Sequence, residues 1–222
     1  MLIQKKFDYR PLARIDSPDG RKYCTPDGNN LVSVKTILSK TKDMTHLKEW
    51  IDRIGEVNAE RIKTEACNIG NGMHKNIEKY ILGEDMSGAL LSKILAKVII
   101  KEGFPHITEI WGSEVALYTE GLYAGTTDLV GRWLGEPAIM DFKNSLKDKK
   151  REWIDDYFMQ LCGYKLSHDE MYGTDIKRGV IMIATRDAKY QEFIIEGSEM
   201  EYYTYKWLKK VEEYYDRFGK AQ

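Results

Sequence analysis

The architecture of this chain follows from residues 123–164, which read YAGTTDLVGRWLGEPAIMDFKNSLKDKKREWIDDYFMQLCGY. Two runs in which polar and apolar residues alternate, 123–134 and 138–143, predict β-strands, and the Gly-Glu-Pro segment at 135–137 predicts the turn between them. A helical pattern follows over 150–167. Two neighbouring strands followed by a helix indicate an α/β fold.

The pattern continues on both sides of this stretch. A strand predicted at 108–119 completes a three-stranded meander, and two more strands, 178–186 and 190–197, follow the helix. The Ser-x-x-Glu pattern at 198–201 is typical of a capping box, which predicts a final helix ending near Gly219. The predicted order is therefore helices, three strands, helix, two strands and helix.

The N-terminal part of the chain changes from irregular to helical. Turn signals within residues 1–30 predict an arm with a small hairpin. Ser33 is a candidate N-cap for a first helix, and one long amphipathic helix is predicted over 46–66. A third helix is predicted to begin near Gly72, and a fourth covers 90–99. We expect these parts to form one compact domain.

Size and composition indicate a soluble globular protein. At 222 residues and 42% apolar content the chain can bury a full core. Cys24, Cys67 and Cys162 are odd in number and lack C-x-x-C spacing, so neither a disulfide framework nor a zinc site is predicted. The N-terminus has no signal-like apolar region, and no apolar run approaches the roughly 20 residues of a membrane span. We expect an unprocessed cytoplasmic protein without a membrane partner.

The overall charge balance does not by itself indicate a nucleic-acid-binding protein. The chain has 34 basic and 35 acidic side chains and a net charge of −1, whereas such proteins are commonly basic. A local cluster nevertheless follows the third strand of the meander: Lys143, Lys147, Lys149, Lys150 and Arg151. This cluster is equally compatible with a basic rim beside a binding site and with a solvated loop before a helix.

Two carboxylates and a lysine are predicted to lie together in the meander. Side chains two apart in a strand point the same way, so Asp141 and Lys143 share a face, and the tight turn brings Asp128 alongside from the neighbouring strand. Two carboxylates held close repel each other unless a cation lies between them, and carboxylate oxygens are ligands that Mg²⁺ prefers. A lysine beside such an ion can hold a water or a phosphate. The alternative is that these charges decorate an exposed sheet edge.

The helix after the meander carries Trp153, Tyr157, Gln160 and Tyr164 at helical spacing. A glutamine among aromatic residues suits a face turned toward a cleft, and it equally suits a core stripe that contains one satisfied amide. His74 and Glu78, four positions apart on another predicted helix, share a face. They can reach a metal or bond to each other.

Glu114 lies near the middle of the first predicted strand and is a third carboxylate that can approach the same place. Its alternative is a surface position. Neither pattern nor spacing distinguishes the two.

Four segments taken together resemble the PD-(D/E)XK nuclease superfamily, in its RecB-like exonuclease branch. These segments are G-N-G-M-H at 70–74, G-T-T-D at 125–128, D-F-K at 141–143 and Q-L-C-G-Y at 160–164. The segment LVSVKTIL at 31–38 extends the similarity to the mitochondrial genome maintenance exonucleases and phage exonucleases. The resemblance covers nearly the whole chain.

The resemblance implies an α/β restriction-endonuclease-like core, with a central mixed β-sheet flanked by helices and N-terminal helical additions. It implies one nuclease domain over 1–222, in which 1–68 form an arm and helices and 69–222 form the catalytic core. It also implies Mg²⁺ or Mn²⁺, bound as two ions, and a lysine that orients or activates water. The implied catalytic residues are Asp128, Asp141 and Lys143, and the implied metal ligands are His74, Asp128, Asp141, the Phe142 carbonyl and Glu114. The resemblance implies DNA-binding or supporting roles for Gln160 and Tyr164. Further candidates for such roles are Tyr157, Glu78, Ser33, Lys35, Lys147 and Lys150, since aromatic side chains stack on bases and basic ones contact phosphates.

Some features depart from this branch. Asn144 follows the lysine where threonine is common, which leaves the local phosphate contacts open. The cysteines are too few for the four-cysteine iron-sulfur cluster of some members, and no Walker-type loop is present, so neither an iron-sulfur cluster nor a nucleotide cofactor is expected.

The predicted function is a metal-dependent DNA exonuclease that acts on single-stranded DNA or on free ends, in DNA repair or recombination, in a bacterial cell or encoded by a phage. Recombination or replication proteins are expected partners. Three alternatives stay open: a structure-specific or flap endonuclease on the same metal site, an inactive nucleic-acid-binding module, and an α/β domain with incidental carboxylates. Polarity and the choice between DNA and RNA are not predicted.

Overall fold

The computed structural model describes residues 6–219, with the backbone alone at position 46. The strands are β1 (Ala13–Ser17), β2 (Gly20–Cys24), β3 (Asn30–Val32), β4 (Ile107–Thr119), β5 (Tyr123–Trp133), β6 (Glu136–Ser145), β7 (Arg178–Thr185) and β8 (Tyr190–Glu196). The helices are α1 (Val34–Lys40), α2 (Thr45–Ile54), α3 (Glu56–Leu82), α4 (Leu90–Glu102), α5 (Asp155–Tyr172) and α6 (Gly197–Phe218). Over residues 6–219, none of these helices combines the length and apolar character needed to cross a membrane.

A five-stranded mixed sheet lies at the centre of the fold. Its strand order is β4-β5-β6-β7-β8. The first three strands form the predicted antiparallel meander, β6 and β7 are parallel, and β7 and β8 are antiparallel. A parallel pair requires a crossover connection, which α5 supplies. The predicted α/β class, with a mixed central sheet between helices, is confirmed, and this topology is consistent with the expected restriction-endonuclease-like core.

Strand β6 separates two apolar layers. Met140 and Phe142 pack with α3 and α4 on one face of the sheet, whereas Ile139 packs with α5 and α6 on the other. Because side chains alternate along a strand, Asp141 and Lys143 share the α5 side with Ile139. This assignment of faces agrees with the prediction.

Strands β5 and β6 separate at one end of the sheet. Their pairing stops at Leu129 and Met140, but the pairing of β6 with β7 continues to Ser145 and Thr185. The last part of β6 therefore has a strand neighbour on one side only. Asp128 lies just beyond the last pair on β5, at this fork.

The predicted N-terminal arm forms a three-stranded antiparallel sheet, β1-β2-β3. Tyr23 and Leu31 pack on Ala124 of β5, and Thr126 Oγ1 donates a hydrogen bond to the Tyr23 hydroxyl at 3.2 Å. Ser33 is the predicted N-cap of α1, since its hydroxyl accepts from the N–H of Thr36 at 3.0 Å. The small sheet thus lies beside the end of β5 that carries Asp128.

Two helix predictions are wrong. The helix predicted over 46–66 is interrupted at Gly55, where the backbone adopts φ +83° and ends α2. Helix α3 then continues through Gly72, where a new helix was predicted to begin. Gly70 and Gly72 lie inside α3 because neighbouring side chains pack directly on its backbone there.

Two further boundaries differ from the predictions. The helix predicted from position 150 begins at Asp155, because a 3-10 turn, Arg151–Trp153, comes first. In addition, Ser198 is not an N-cap: Gly197, at φ +55°, makes the turn out of β8 and is already the first residue of α6.

Candidate active site

Asp128 occupies the fork between β5 and β6 and is buried. Its Oδ2 accepts a hydrogen bond from the backbone N–H of Phe142 at 2.7 Å. This N–H faces the side where the β5 ladder has ended, so the carboxylate satisfies a donor that would otherwise lack a strand partner. In a strand, the N–H and C=O of one residue point toward the same neighbour, so the Phe142 carbonyl also faces the fork.

Helix α3 brings His74 to the same place. Its Nδ1 lies 3.3 Å from Asp128 Oδ1, and its ring contacts the Phe142 ring at a centroid distance of 6.1 Å. The two oxygens of Asp128 therefore have separate partners, one in β6 and one in α3.

Glu114 approaches from β4. Its backbone has φ +49°, and the register between β4 and β5 shifts just before it, between Ile110 and Gly112. A non-glycine residue in this conformation costs on the order of 1–3 kcal/mol and persists only where the surroundings impose it. One ligand atom each from His74, Glu114 and Asp128 lies within 4.8 Å of the others.

Asp141 and Lys143 lie behind this cluster, on the α5 side of the sheet. Asp141 Oδ1 accepts from Gln160 Nε2 at 2.7 Å, and Oδ2 forms an ion pair with Lys143. The Lys143 ammonium also lies 3.4 Å from Gln160 Oε1 and 5.0 Å from the centre of the Tyr157 ring. Asp141 therefore lies outside the three-residue cluster. To act as the predicted metal ligand, Asp141 would have to release one of its oxygens from Lys143 or Gln160.

The charges of the site shift the pKa values of its groups strongly. Burial and the Asp128 charge both raise the pKa of Asp141. Burial alone would raise the pKa of Asp128, but the charges of His74 and Lys143 hold it below its ordinary value.

The bases respond in the opposite sense. Burial would lower the pKa of His74 and of Lys143, but the neighbouring carboxylates outweigh burial and raise both. Glu114 lies at the wall of the cleft, where loss of water and the charge of Asp128 raise its pKa to about 7.

The donor set fits a divalent cation. Two carboxylates and an imidazole suit Mn²⁺ or Mg²⁺, although the imidazole favours Mn²⁺. Ligands on opposite sides of a Mg²⁺ ion lie about 4.2 Å apart, so the observed span of up to 4.8 Å needs only a small adjustment.

The cluster opens into a cleft of about 640 Å³ between α3, β5 and the N-terminal sheet. The structure brings half of the predicted site residues to its wall. These are Ser33, Lys35, His74, Glu78, Glu114, Asp128 and Tyr164. Five more predicted residues form the layer of contacts next to Asp128 that is described above. They are Phe142, Asp141, Lys143, Gln160 and Tyr157.

Gly125 explains why Tyr164 can reach the cleft. A Cβ atom at Gly125 would lie 2.6 Å from Cε1 of the tyrosine ring, so only glycine admits the ring there. The G-T-T-D segment at 125–128 and the Q-L-C-G-Y segment at 160–164 are thus in direct contact.

Several cleft residues have no counterpart in the sequence predictions. Arg14 and Arg21 come from the N-terminal sheet, where both form ion pairs with Asp16 at 2.7 and 2.9 Å. Lys75 comes from α3. The available sequence signal was the set of charged residues in β1 and β2, but it does not indicate that this sheet packs beside β5.

Two predicted residues, Lys147 and Lys150, do not line the cleft. Both lie in the loop after β6, where Lys150 is 4.0 Å from Glu152 and 5.3 Å from the centre of the Trp153 ring. Trp153, predicted to share a helical stripe with Tyr157, is 60% exposed and lies in the 3-10 turn before α5. A contact of these lysines with DNA remains a prediction.

No family model and no curated protein matches the chain. Among solved structures, similarity is found to SSO0001, with 15% identity, 83% of this chain and 76% of that chain covered, and a TM-score of 0.45. It is also found to a protein named "Putative exonuclease" from Eubacterium rectale, with 18% identity, 79% and 66% coverage and a TM-score of 0.41. An alkaline exonuclease (LHK-Exo) from Laribacter hongkongensis has 15% identity, 66% and 82% coverage and a TM-score of 0.28. We base the functional conclusion on the residues of the site.

Proposed function

We propose that this protein is a metal-dependent DNA exonuclease that hydrolyses phosphodiester bonds at single-stranded ends. The observation that supports this most directly is the meeting of His74, Glu114 and Asp128, with ligand atoms within 4.8 Å, on the wall of a cleft. Lys143 lies in the adjacent layer, paired with Asp141. A carboxylate-rich site beside a fixed lysine suits phosphate chemistry.

The proposed metal ligands are His74, Glu114, Asp128, Asp141 and the Phe142 carbonyl, for Mg²⁺ or Mn²⁺ and for two ions. When bound, such ions lower the pKa of water and polarise a phosphate. The protein's own contribution is to hold the ligands on three different elements, α3, β4 and the fork of β5 and β6.

Lys143 is proposed to orient the attacking water or a phosphate oxygen. Its ammonium is directed by Asp141, Gln160 and the Tyr157 ring, so its position is fixed before a substrate arrives. Preorganised donors of this kind cost no reorganisation during the reaction. Gln160 is proposed to act through Asp141 and Lys143 rather than on the substrate.

The cleft supports an anionic strand as the ligand. Arg14, Arg21, Lys35 and Lys75 lie along its wall, and such side chains are the usual partners of phosphate oxygens. Its volume of about 640 Å³ lies within the range of about 300–1,000 Å³ typical of small-ligand pockets. A strand end fits such a space better than a base-paired duplex does. On the resemblance alone, the proposal extends to a role in DNA repair or recombination in the cytoplasm.

The test uses end-labelled linear single-stranded DNA, linear duplex DNA and circular single-stranded DNA, each with Mg²⁺, Mn²⁺ or EDTA. We expect metal-dependent loss of the linear single strand, an intact circle, and no cleavage by Lys143→Ala. Lys101→Ala is the matched control, because this lysine is exposed on α4 away from the cleft. Cutting of the circle would indicate an endonuclease, and binding without cleavage would indicate an inactive binding module.

A further inference from the structure

Asn144, which follows the lysine of the D-F-K segment, contacts α3 rather than the cleft. Its Nδ2 donates a hydrogen bond to the backbone carbonyl of Ala66 at 3.0 Å. Alternation along β6 places Asn144 on the same face as Phe142 and on the opposite face from Lys143. The residue that replaces the threonine of the nuclease branch is therefore turned away from the candidate phosphate site.

Gly70 makes this contact possible. A Cβ atom at Gly70 would lie 2.8 Å from Asn144 Nδ2, which is closer than real Cβ contacts allow. Glycine inside a helix is less favourable than alanine, so its presence here is explained by the close approach of β6.

Strand β6 thus holds α3 at two points. One is the Asn144 bond to Ala66, and the other is the contact of Phe142 with the ring of His74. Ala66 and His74 are eight positions apart, or about 12 Å along a rigid helix. Two contacts at this separation fix both the distance and the tilt of α3 relative to β6.

We infer that Asn144 is a positioning residue that sets the spacing between α3 and β6 and thereby holds His74 against Asp128. The inference rests on the proposed function, since the position of His74 matters through the proposed metal site. It also accounts for Gly70 within the G-N-G-M-H segment as a packing requirement of the site.

The opposite side of α3 offers a matched control. Ser92 Oγ of α4 donates to the backbone carbonyl of Ile69 at 3.1 Å, and a Cβ atom at Gly72 would lie 2.5 Å from this hydroxyl. The bond is of the same kind, to the same helix, but it does not involve β6. Its loss should affect stability without changing the spacing that places His74.

The experiment measures the Kd for Mn²⁺ of the full chain without DNA, by titration calorimetry, with urea unfolding as the check on folding. Loss of a residue that orients a metal ligand typically weakens metal binding 10–100-fold, so we expect about 10-fold for Asn144→Ala. Asn144→Asp, which keeps the shape but has no N–H to donate, should weaken binding similarly, and Ser92→Ala should bind as the wild type does. Equal Kd values for wild type, Asn144→Ala and Asn144→Asp would overturn the inference.

A second test uses the space at Gly70. Gly70→Ala alone should push α3 from β6 and weaken Mn²⁺ binding, whereas the double variant Gly70→Ala/Asn144→Ala should bind more tightly than Gly70→Ala, because the new methyl group fills the vacated space. A double variant weaker than both single variants would overturn the inference. If the wild type itself neither binds Mn²⁺ nor cleaves DNA, the proposed function fails; if it does both and the variants bind equally well, only the role of Asn144 fails.

Discussion

Asp128 joins the two strands of the fork: its Oδ2 accepts from the Phe142 N–H at 2.7 Å, at the point where β5 and β6 stop pairing. Its Oδ1 faces His74 Nδ1 at 3.3 Å. One oxygen therefore completes the sheet, and the other belongs to the candidate metal site. The structural and functional roles of this side chain are separable by mutation.

Asp128→Asn should remove metal binding and leave the fold intact. The amide keeps an oxygen that accepts from the Phe142 N–H, but a neutral amide binds a divalent cation much more weakly than a carboxylate does. Asp128→Ala leaves that buried N–H without a partner, which costs about 1–3 kcal/mol. The pairing with His74 weakens in both variants, so urea unfolding in EDTA should place the asparagine variant above the alanine variant, with Mn²⁺ binding lost in both. Equal destabilisation of the two variants would contradict the assigned hydrogen bond.

Lys143→Ala should destabilise the metal-free protein. Asp141 is 1% exposed, and removal of the cation leaves its charge buried with only Gln160 as a partner. Breaking one side of a buried ion pair typically costs about 3–5 kcal/mol. The free energy of unfolding of Lys143→Ala in EDTA measures this loss.

Mn²⁺ is expected to restore part of the stability lost in Lys143→Ala, because the ion supplies positive charge beside Asp141. The control is the double variant Lys143→Ala/Asp141→Asn, in which no unpaired carboxylate remains. It should be more stable in EDTA than Lys143→Ala. A double variant that is no more stable than Lys143→Ala would show that the unpaired charge of Asp141 does not cause the loss.

The sheet and the faces of its strands were predictable because the two-residue period of a strand is a local property. Alternation in β6 placed Asp141 and Lys143 together and opposite Phe142, as the structure has them. The position of Asp128 on the next strand followed from the short turn between β5 and β6. These residues needed no knowledge of distant contacts.

The path of α3 and the wall of the cleft were not predictable in this way. Gly70 and Gly72 look like helix breakers until Asn144 and Ser92 are seen to pack on the helix. Arg14 reaches the cleft only because the N-terminal sheet packs on β5. Both features depend on contacts between segments far apart in the sequence, which local patterns do not encode.

His74→Asp should change the preference between metals. An imidazole ligand favours Mn²⁺, whereas an additional carboxylate suits Mg²⁺. The ratio of the Kd values for Mg²⁺ and Mn²⁺ should therefore fall in this variant. His106→Gln is the control, since that imidazole lies beside Glu192, 3.6 Å away, and outside the cluster. An unchanged ratio in His74→Asp would argue that the histidine is not a ligand.

His168 should make the stability depend on pH. The residue is fully buried, and its ring nitrogens contact the Tyr9 hydroxyl at 2.8 Å and Thr174 Oγ1 at 2.7 Å. Burial lowers its pKa to about 4, from an ordinary value of 6.5. Between these values the unfolded chain binds a proton that the folded chain does not bind, so stability falls as the pH decreases through this window.

The expected size is about 1 kcal/mol per pH unit between pH 6 and 5, since one proton contributes at most about 1.4 kcal/mol per unit. His168→Gln keeps a polar side chain but has no group that titrates in this range. Free energies of unfolding in urea, measured in EDTA at pH 7, 6 and 5, should therefore decline less steeply for His168→Gln than for the wild type, even if the variant is less stable throughout. Parallel profiles would show that His168 takes up its proton equally in the folded and unfolded chains, against the effect expected of its burial.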